Sequence, residues 1–321
     1  MSSRDSGKRP RPKIPQGSII GVFDPWRSSL CTCPLKYSLN PYTGCSHFCL
    51  YCYATSYIGR RKSTPKKDYR RRLLRDISRI DPRYHIDIST SSDPYPPEEA
   101  TYKITRWTLE QLIPKGFRIL IVTKGVLVAR DADILSMGNA AVTVTITTMD
   151  REIAAKLEPG APPPQERIRA LEKLSKAGVP VGIRLDPVFP LLTDEEHMIK
   201  EVLEAVRNAG ARFVVTSVYK ARPDNLRRVV SAFPELEKNY NEIYRRQGER
   251  ISGYWYPPRH LRKKILDRVR TLALSYGFEF ATCREGFPEM NTAPTCDGSH
   301  LIPLRIKPEH RQKELDNWLR G

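Results

Sequence analysis

The chain has 321 residues, 40% of them apolar and 28% charged, with 54 Lys+Arg against 36 Asp+Glu and a formal net charge of +18. This apolar content excludes a wholly disordered chain, and the length allows one large domain or two small ones whose core needs no disulfides. No apolar run approaches the roughly 18 residues of a membrane helix, and the basic N-terminus MSSRDSGKRPRPKIPQGS lacks the apolar stretch of a secretory signal, so a soluble, cytoplasmic protein with no membrane partner is expected.

Residues 1–30 are polar, Pro-rich and basic, and read as a flexible arm. Residues 31–220 alternate short apolar strands with helical patterns. Strands are expected at Ile86–Ser91, Arg118–Thr123, Val142–Thr147, Val179–Asp186 and Arg212–Tyr219, and a further one through Glu279–Thr282. Gln165–Lys176 places Ile168, Leu171 and Leu174 on one helical face and meets a stop at Gly178. Thr193 and Glu196 have capping-box spacing before an apolar helix that ends at Gly210. This alternation implies a parallel sheet with right-handed crossovers. About six such units close most of a barrel, and a doubly wound open sheet fits the same periodicity.

In Val142–Thr147 the hydroxyls of Thr143, Thr145 and Thr147 share one face. That face reads either as a lumen wall that holds a ligand or as the wet side of an edge strand. Residues 220–258 look helical and Tyr-rich (Tyr240, Tyr244, Tyr254, Tyr256). Leu261, Ile265, Val269 and Leu272 then mark a long helix with a basic outer face. Residues 221–321 form an extension that completes the domain.

The positive charge is clustered. Residues 60–75, RRKSTPKKDYRRRLLR, hold nine basic side chains and one acid. Such blocks suit a phosphate backbone, so nucleic acid, DNA or RNA, is the expected partner over a merely solvated surface. Arg60 and Arg61 fall nearest the cysteines discussed next.

Seven cysteines, an odd number, in a chain without a secretory signal favour metal ligation over disulfides. Three lie in Asn40-Pro-Tyr-Thr-Gly-Cys45-Ser-His-Phe-Cys49-Leu-Tyr-Cys52-Tyr-Ala, at C-x3-C-x2-C spacing. Three thiolates from one loop can hold three corners of a [4Fe–4S] cluster and leave one iron open. An open iron can chelate the amino and carboxylate groups of S-adenosylmethionine, and a reduced cluster can cleave it to a 5′-deoxyadenosyl radical. Against this, His47 with the same three thiols would make a tetrahedral zinc site, although its reach from within the loop is awkward.

This stretch is similar to the radical S-adenosylmethionine superfamily and, within it, to the spore photoproduct lyase and DNA repair photolyase-like group. The likeness is carried further by STSSDPYPPEE (89–99), IVTKGVLVARD (121–131), LEPGAPPPQER (157–167) and GIRLDPVFP (182–190). It implies a partial (β/α)6 TIM-like barrel with the cluster at its carboxyl end. It also implies cluster ligation by Cys45, Cys49 and Cys52, and an adenine-side contact from Tyr51. Ser92 and Asp93 would meet the methionine moiety, Lys124 its carboxylate, and Thr145 or Thr147 the ribose. Tyr53 would match a hydrogen-relay tyrosine, and a ferredoxin or flavodoxin would supply electrons. One departure counts against thymine-dimer reversal. The group's cysteine hydrogen donor has no counterpart in Asp87-Ile-Ser-Thr-Ser-Ser-Asp93. A different radical reaction on nucleic acid is therefore expected. A small-molecule or peptide substrate, or a non-catalytic metal-stapled nucleic-acid-binding protein, are the alternatives.

Cys31, Cys33, Cys283 and Cys296 remain. Four thiols suffice for a second [4Fe–4S] cluster or a structural zinc, provided the C-terminal loop returns to the first strand.

Overall fold

The computed structural model describes residues 14, 16–23, 30–88 and 90–306. Most of the expected arm (1–13, 15, 24–29) lies outside them, as do Ser89 and residues 307–321. Among the described residues twelve strands form: β1 Ile20–Val22, β2 Tyr37–Leu39, β3 Tyr42–Thr43, β4 Thr64–Pro65, β5 Ile86–Ile88, β6 Ile119–Thr123, β7 Ala140–Thr145, β8 Val181–Val188, β9 Phe213–Val218, β10 Glu249–Ile251, β11 Tyr254–Tyr256 and β12 Glu279–Thr282. Eight of them make the main sheet, in the order β1-β2-β5-β6-β7-β8-β9-β12. Every neighbouring pair in it is parallel except β1–β2, which is antiparallel.

The expected strands are present: three are shorter than read, two are shifted by two residues (Ala140–Thr145 and Val181–Val188), and Glu279–Thr282 matches. Ile20–Val22, placed in the arm by composition, instead pairs with β2. Its neighbouring Ile19 amide and Ser18 hydroxyl donate to the buried Asp76 carboxylate, each at 2.7 Å. That bond fixes a segment with little periodicity of its own.

The alternation of residues along each strand separates two faces. Outward residues such as Ile86, Ile119, Ile121, Val142, Ile183 and Val214 join the main core with the surrounding helices. Inward residues from β5 through β9, together with Lys36, Ser38 and Cys283, face a single chamber. A doubly wound sheet would bury both faces against helices, so the sheet is curled into a partial barrel. β7 is central, between β6 and β8, which removes the edge-strand reading of its threonines. The base of the lumen is filled: Leu301 and Ile302 pack on Leu120 and Ala141.

Helices Pro164–Lys176 and Glu196–Asn208 follow the periodicity, and Gly178 and Gly210 close them at positive φ. The expected Thr193–Glu196 capping box does not form. The Thr193 hydroxyl instead accepts from the Phe189 amide at 2.9 Å, tying the turn after β8, and Glu195 occupies the cap position. Residues 220–258 are only partly helical. After Pro223–Ala232 and short turns, β10 and β11 make a hairpin around Ser252 and Gly253, both at positive φ, and this hairpin carries Tyr254 and Tyr256.

The helix Arg259–Ser275 is long and amphipathic as expected, but its basic face is not all free. Arg262 is buried, with Nη1 2.6 Å from the Glu285 carbonyl and 3.1 Å from its carboxylate. Arg270 donates to the Met290 carbonyl at 3.0 Å.

Candidate active site

The cysteine loop leaves β3 and crosses the carboxyl ends of the barrel strands. Its backbone is tied down from four directions. The Cys45 amide donates to Arg61 O at 2.9 Å, and the Leu50 amide donates to Leu157 O at 2.8 Å. The Gly160 amide donates to His47 O at 2.9 Å. A Cβ on Gly160 would fall 2.0 Å from the Ser46 carbonyl oxygen, so the loop needs a glycine there. From the helix Pro223–Ala232, Arg228 Nε donates to Leu50 O at 2.9 Å and Asn225 Nδ2 to Tyr51 O at 3.2 Å.

Held this way, Cys45, Cys49 and Cys52 all line the chamber, which has a volume of roughly 460 Å³. That is ample for a cofactor of drug-like size. Burial pushes the Cys45 thiol up to about 12, the Asp93 charge adding to the effect, and burial raises Cys49 likewise. Thiols in such surroundings ionise only when a metal centre supplies positive charge. Among the described residues, no group of three or more His, Cys, Asp or Glu stands at the spacing of a single metal ion. This disfavours the zinc site with His47. Three thiols on one pinned loop fit the three corners of a cluster, whose ligands sit on separate irons. His47 Nδ1 lies 3.2 Å from Asp93, while its Nε2 is buried without a hydrogen-bond partner on the chamber wall. That atom is available to a bound cofactor.

The other expected cofactor contacts divide. Ser92, Asp93, Lys124, Thr145, Tyr51 and Tyr53 line the chamber, and Thr147 does not. The Thr147 hydroxyl turns to Glu158 at 3.3 Å. Asp93 is heavily engaged. Oδ1 accepts from Tyr95 N at 2.9 Å and Thr123 Oγ1 at 2.6 Å, and Oδ2 accepts from Lys124 N at 2.8 Å. Burial alone would raise this carboxyl, but His47 and these donors hold it at about 2. Asp93 thus cross-links the ends of the neighbouring strands as well as facing the chamber. The Tyr51 hydroxyl donates to Glu158, which pairs with Arg167 at 2.5 Å, leaving the tyrosine ring for any adenine contact. The Lys124 ammonium sits 5.5 Å from the centre of that ring. Tyr53 is partly exposed at the mouth, and its hydroxyl donates to Thr90 O at 2.6 Å.

Several groups were missed by the sequence reading. Arg184 and Asp186, 2.6 Å apart, and Lys220, 2.7 Å from Glu285, also face the chamber. Two-residue spacing of Arg184 and Asp186 within an apolar strand was the available signal. Arg60 extends over the loop, donating to Phe48 O at 3.1 Å, and Arg61 donates to Thr43 Oγ1 at 3.2 Å.

Comparison with known proteins agrees with this geometry. Residues 39–206 match the family model described as the radical SAM superfamily. An uncharacterised protein of Methanocaldococcus jannaschii is 30% identical over 65% of this chain and 78% of its own length. An uncharacterised protein of Mycobacterium tuberculosis is 28% identical over 76% of this chain and 75% of its own. The radical SAM Nalpha-GlyT isomerase of Pseudomonas phage M6 is 24% identical over 82% of this chain and 59% of its own. A spore photoproduct lyase variant solved with bound AdoMet and dinucleoside spore photoproduct has a similar fold, with TM-score 0.60 at 18% identity, over 82% of this chain and 80% of that one. With its family model matched across more than half its length and its three loop thiols gathered at the mouth of a partial barrel, the chain belongs to the radical SAM superfamily of enzymes.

Proposed function

We propose that Cys45, Cys49 and Cys52 ligate a [4Fe–4S] cluster, that S-adenosylmethionine binds beside it, and that the enzyme modifies or repairs a nucleic acid. The observation that carries the reading is the pinned loop whose three thiols share one chamber with Ser92, Lys124 and Thr145. When bound, the cluster and S-adenosylmethionine supply a 5′-deoxyadenosyl radical that abstracts hydrogen from an unactivated carbon.

The chain's own residues bind, orient and shield. Lys124 offers an ammonium to a carboxylate, and Thr145 offers a hydroxyl to a ribose. Asp93 sets the position of His47 and of the Lys124 backbone. Tyr53, bonded to Thr90 at the mouth, offers its phenol as a relay between cofactor and substrate. A one-electron donor such as ferredoxin or flavodoxin completes the cycle.

Charge supports the polyanionic substrate. Arg60 and Arg61 flank the loop, and the helix Tyr69–Ile77 carries Arg70, Arg71 and Arg72. The solved structure of similar fold holds a dinucleoside photoproduct. No cysteine stands between Asp87 and Asp93, so a reaction other than dimer reversal is favoured.

The test is to supply reduced, reconstituted protein and S-adenosylmethionine with DNA or tRNA. Formation of 5′-deoxyadenosine should rise several-fold, with a new nucleoside detected by mass spectrometry. Turnover that neither nucleic acid stimulates, but that a small-molecule or peptide fraction does, would overturn the substrate class.

A further inference from the structure

Four cysteines outside the catalytic loop converge at the one gap in the barrel. The sheet ends at β1 on one side and β12 on the other. Cys31 and Cys33 lie on the segment between β1 and β2, and Cys283 directly follows β12. Cys296 lies on the loop that returns beneath the lumen. Across a separation of 263 residues, Cys296 Sγ stands 3.5 Å from Cys33 Sγ. The Cys31 thiol lies near Cys33, whose charge acts on it. Cys283 is fixed by its amide, which donates to Thr216 O at 2.8 Å, and packs in one apolar cluster with Cys33, Cys296, Phe213, Val215 and Ala281. Cys33, Cys283 and Cys296 open onto the chamber that the catalytic loop also lines.

Ion pairs reinforce this junction. Lys36, just before β2, lies 2.8 Å from both Asp87 and Asp297. Lys220 Nζ donates to Cys283 O at 3.1 Å. The Arg184 guanidinium, paired with Asp186, lies close enough to Cys283 to interact with it electrostatically. Three cations thus stand around the four sulfurs, and nearby positive charge offsets the negative charge that metal-bound thiolates carry. A disulfide does not explain the arrangement, because all seven cysteines are free and a pair would leave two thiols of the cluster unused.

We propose that Cys31, Cys33, Cys283 and Cys296 ligate a second metal centre, an iron–sulfur cluster whose ligands sit on separate irons, that fastens the open seam of the barrel and walls the same chamber. Four thiolates complete the ligation of such a cluster and leave no iron open. The proposal goes beyond the functional reading above and does not require it, because the catalytic thiols are removed in its test.

The full-length protein with Cys45→Ala, Cys49→Ala and Cys52→Ala is purified anaerobically and assayed for iron, sulfide and zinc. A matched set of iron and sulfide with the absorbance of a cluster is expected, and one zinc per chain in its place overturns the proposal. A folded triple variant with no metal overturns the proposal, as does a Cys33–Cys296 disulfide found in its place. Should that variant be insoluble, Cys33→Ser with Cys296→Ser in the otherwise native chain gives the answer. Its metal content must fall by one centre while the catalytic loop keeps its iron, and an unchanged content overturns the proposal.

Discussion

Arg167 Nη1 stands 2.5 Å from Glu158 Oε2, with both side chains shut off from solvent, and the cysteine loop's Tyr51 donates its hydroxyl to the same carboxylate. The pair therefore joins the helix Pro164–Lys176 to the loop that carries the thiols. Such a pair adds little over an apolar replacement, but removing one partner strands a buried charge. Arg167→Ala should destabilise the fold by about 3–5 kcal/mol, and Glu158→Gln added to it should restore part of the loss. Urea denaturation of the single and double variants measures both, and an unchanged midpoint for Arg167→Ala would count against the linkage.

Asp93 makes a pH-dependent contribution. Its folded carboxyl sits at about 2, below the value near 3.9 of an unfolded aspartate, so the stabilisation is complete above pH ~4 and is lost as pH falls towards 2. The contribution is about 2–3 kcal/mol at neutral pH. The stability gap between the native chain and Asp93→Asn should be full at pH 6 and shrink steadily as the pH is lowered through that acid range. A gap that does not change with pH contradicts the assignment.

Arg228 clamps the loop from outside the chamber, with bonds to Leu50 O at 2.9 Å and to Thr55 Oγ1 and Asp224, each at 3.0 Å. Arg228→Ala removes a charged hydrogen bond worth roughly 1.5–3 kcal/mol from the loop. Hydrogen exchange should quicken across residues 48–55 and stay constant in the distant strand β6. Uniform protection in both variants would show that the clamp does not hold the loop.

The basic helix is tested by salt. Arg71 is exposed, while Arg70 lies over Trp107 and Arg72 donates to Gly17 O at 3.1 Å. Each phosphate contact should give a log–log salt slope of about −0.7 on single strands and −0.9 on duplex DNA. Changing Arg70, Arg71 and Arg72 to Ala should weaken nucleic-acid binding and flatten the slope, while S-adenosylmethionine cleavage persists. Native affinity that is independent of salt would favour a small-molecule or peptide substrate.

The parts of the architecture that repeat were the parts legible in the sequence. The helices ended by Gly178 and Gly210 and the apolar strands β6 to β9 carry their periods plainly. The spacing Cys45, Cys49, Cys52 needs no tertiary information to suggest a cluster. What was not legible depends on distant partners. β1 is held by Asp76, 57 residues away from Ile19. Arg262 reads as an exposed cation on a helix, yet Glu285 and Glu249 draw it inward. Thr193 reads as a helix cap, yet the preceding turn takes its hydroxyl. Thr147 continues the threonine alternation past the end of β7, where the chain leaves the sheet and its hydroxyl turns to Glu158. For β1, Arg262 and Thr147 a bond to a partner outside the local turn, and for Thr193 a bond within the preceding turn, outweighs a local preference of about 1 kcal/mol.

The most direct measurement is the release of 5′-deoxyadenosine from S-adenosylmethionine by anaerobically reconstituted protein reduced with dithionite. The native chain should produce it and should carry iron and sulfide on the Cys45–Cys52 loop, and Cys49→Ala should produce none. Equal product from Cys49→Ala, or none from fully reconstituted native protein, would contradict the account.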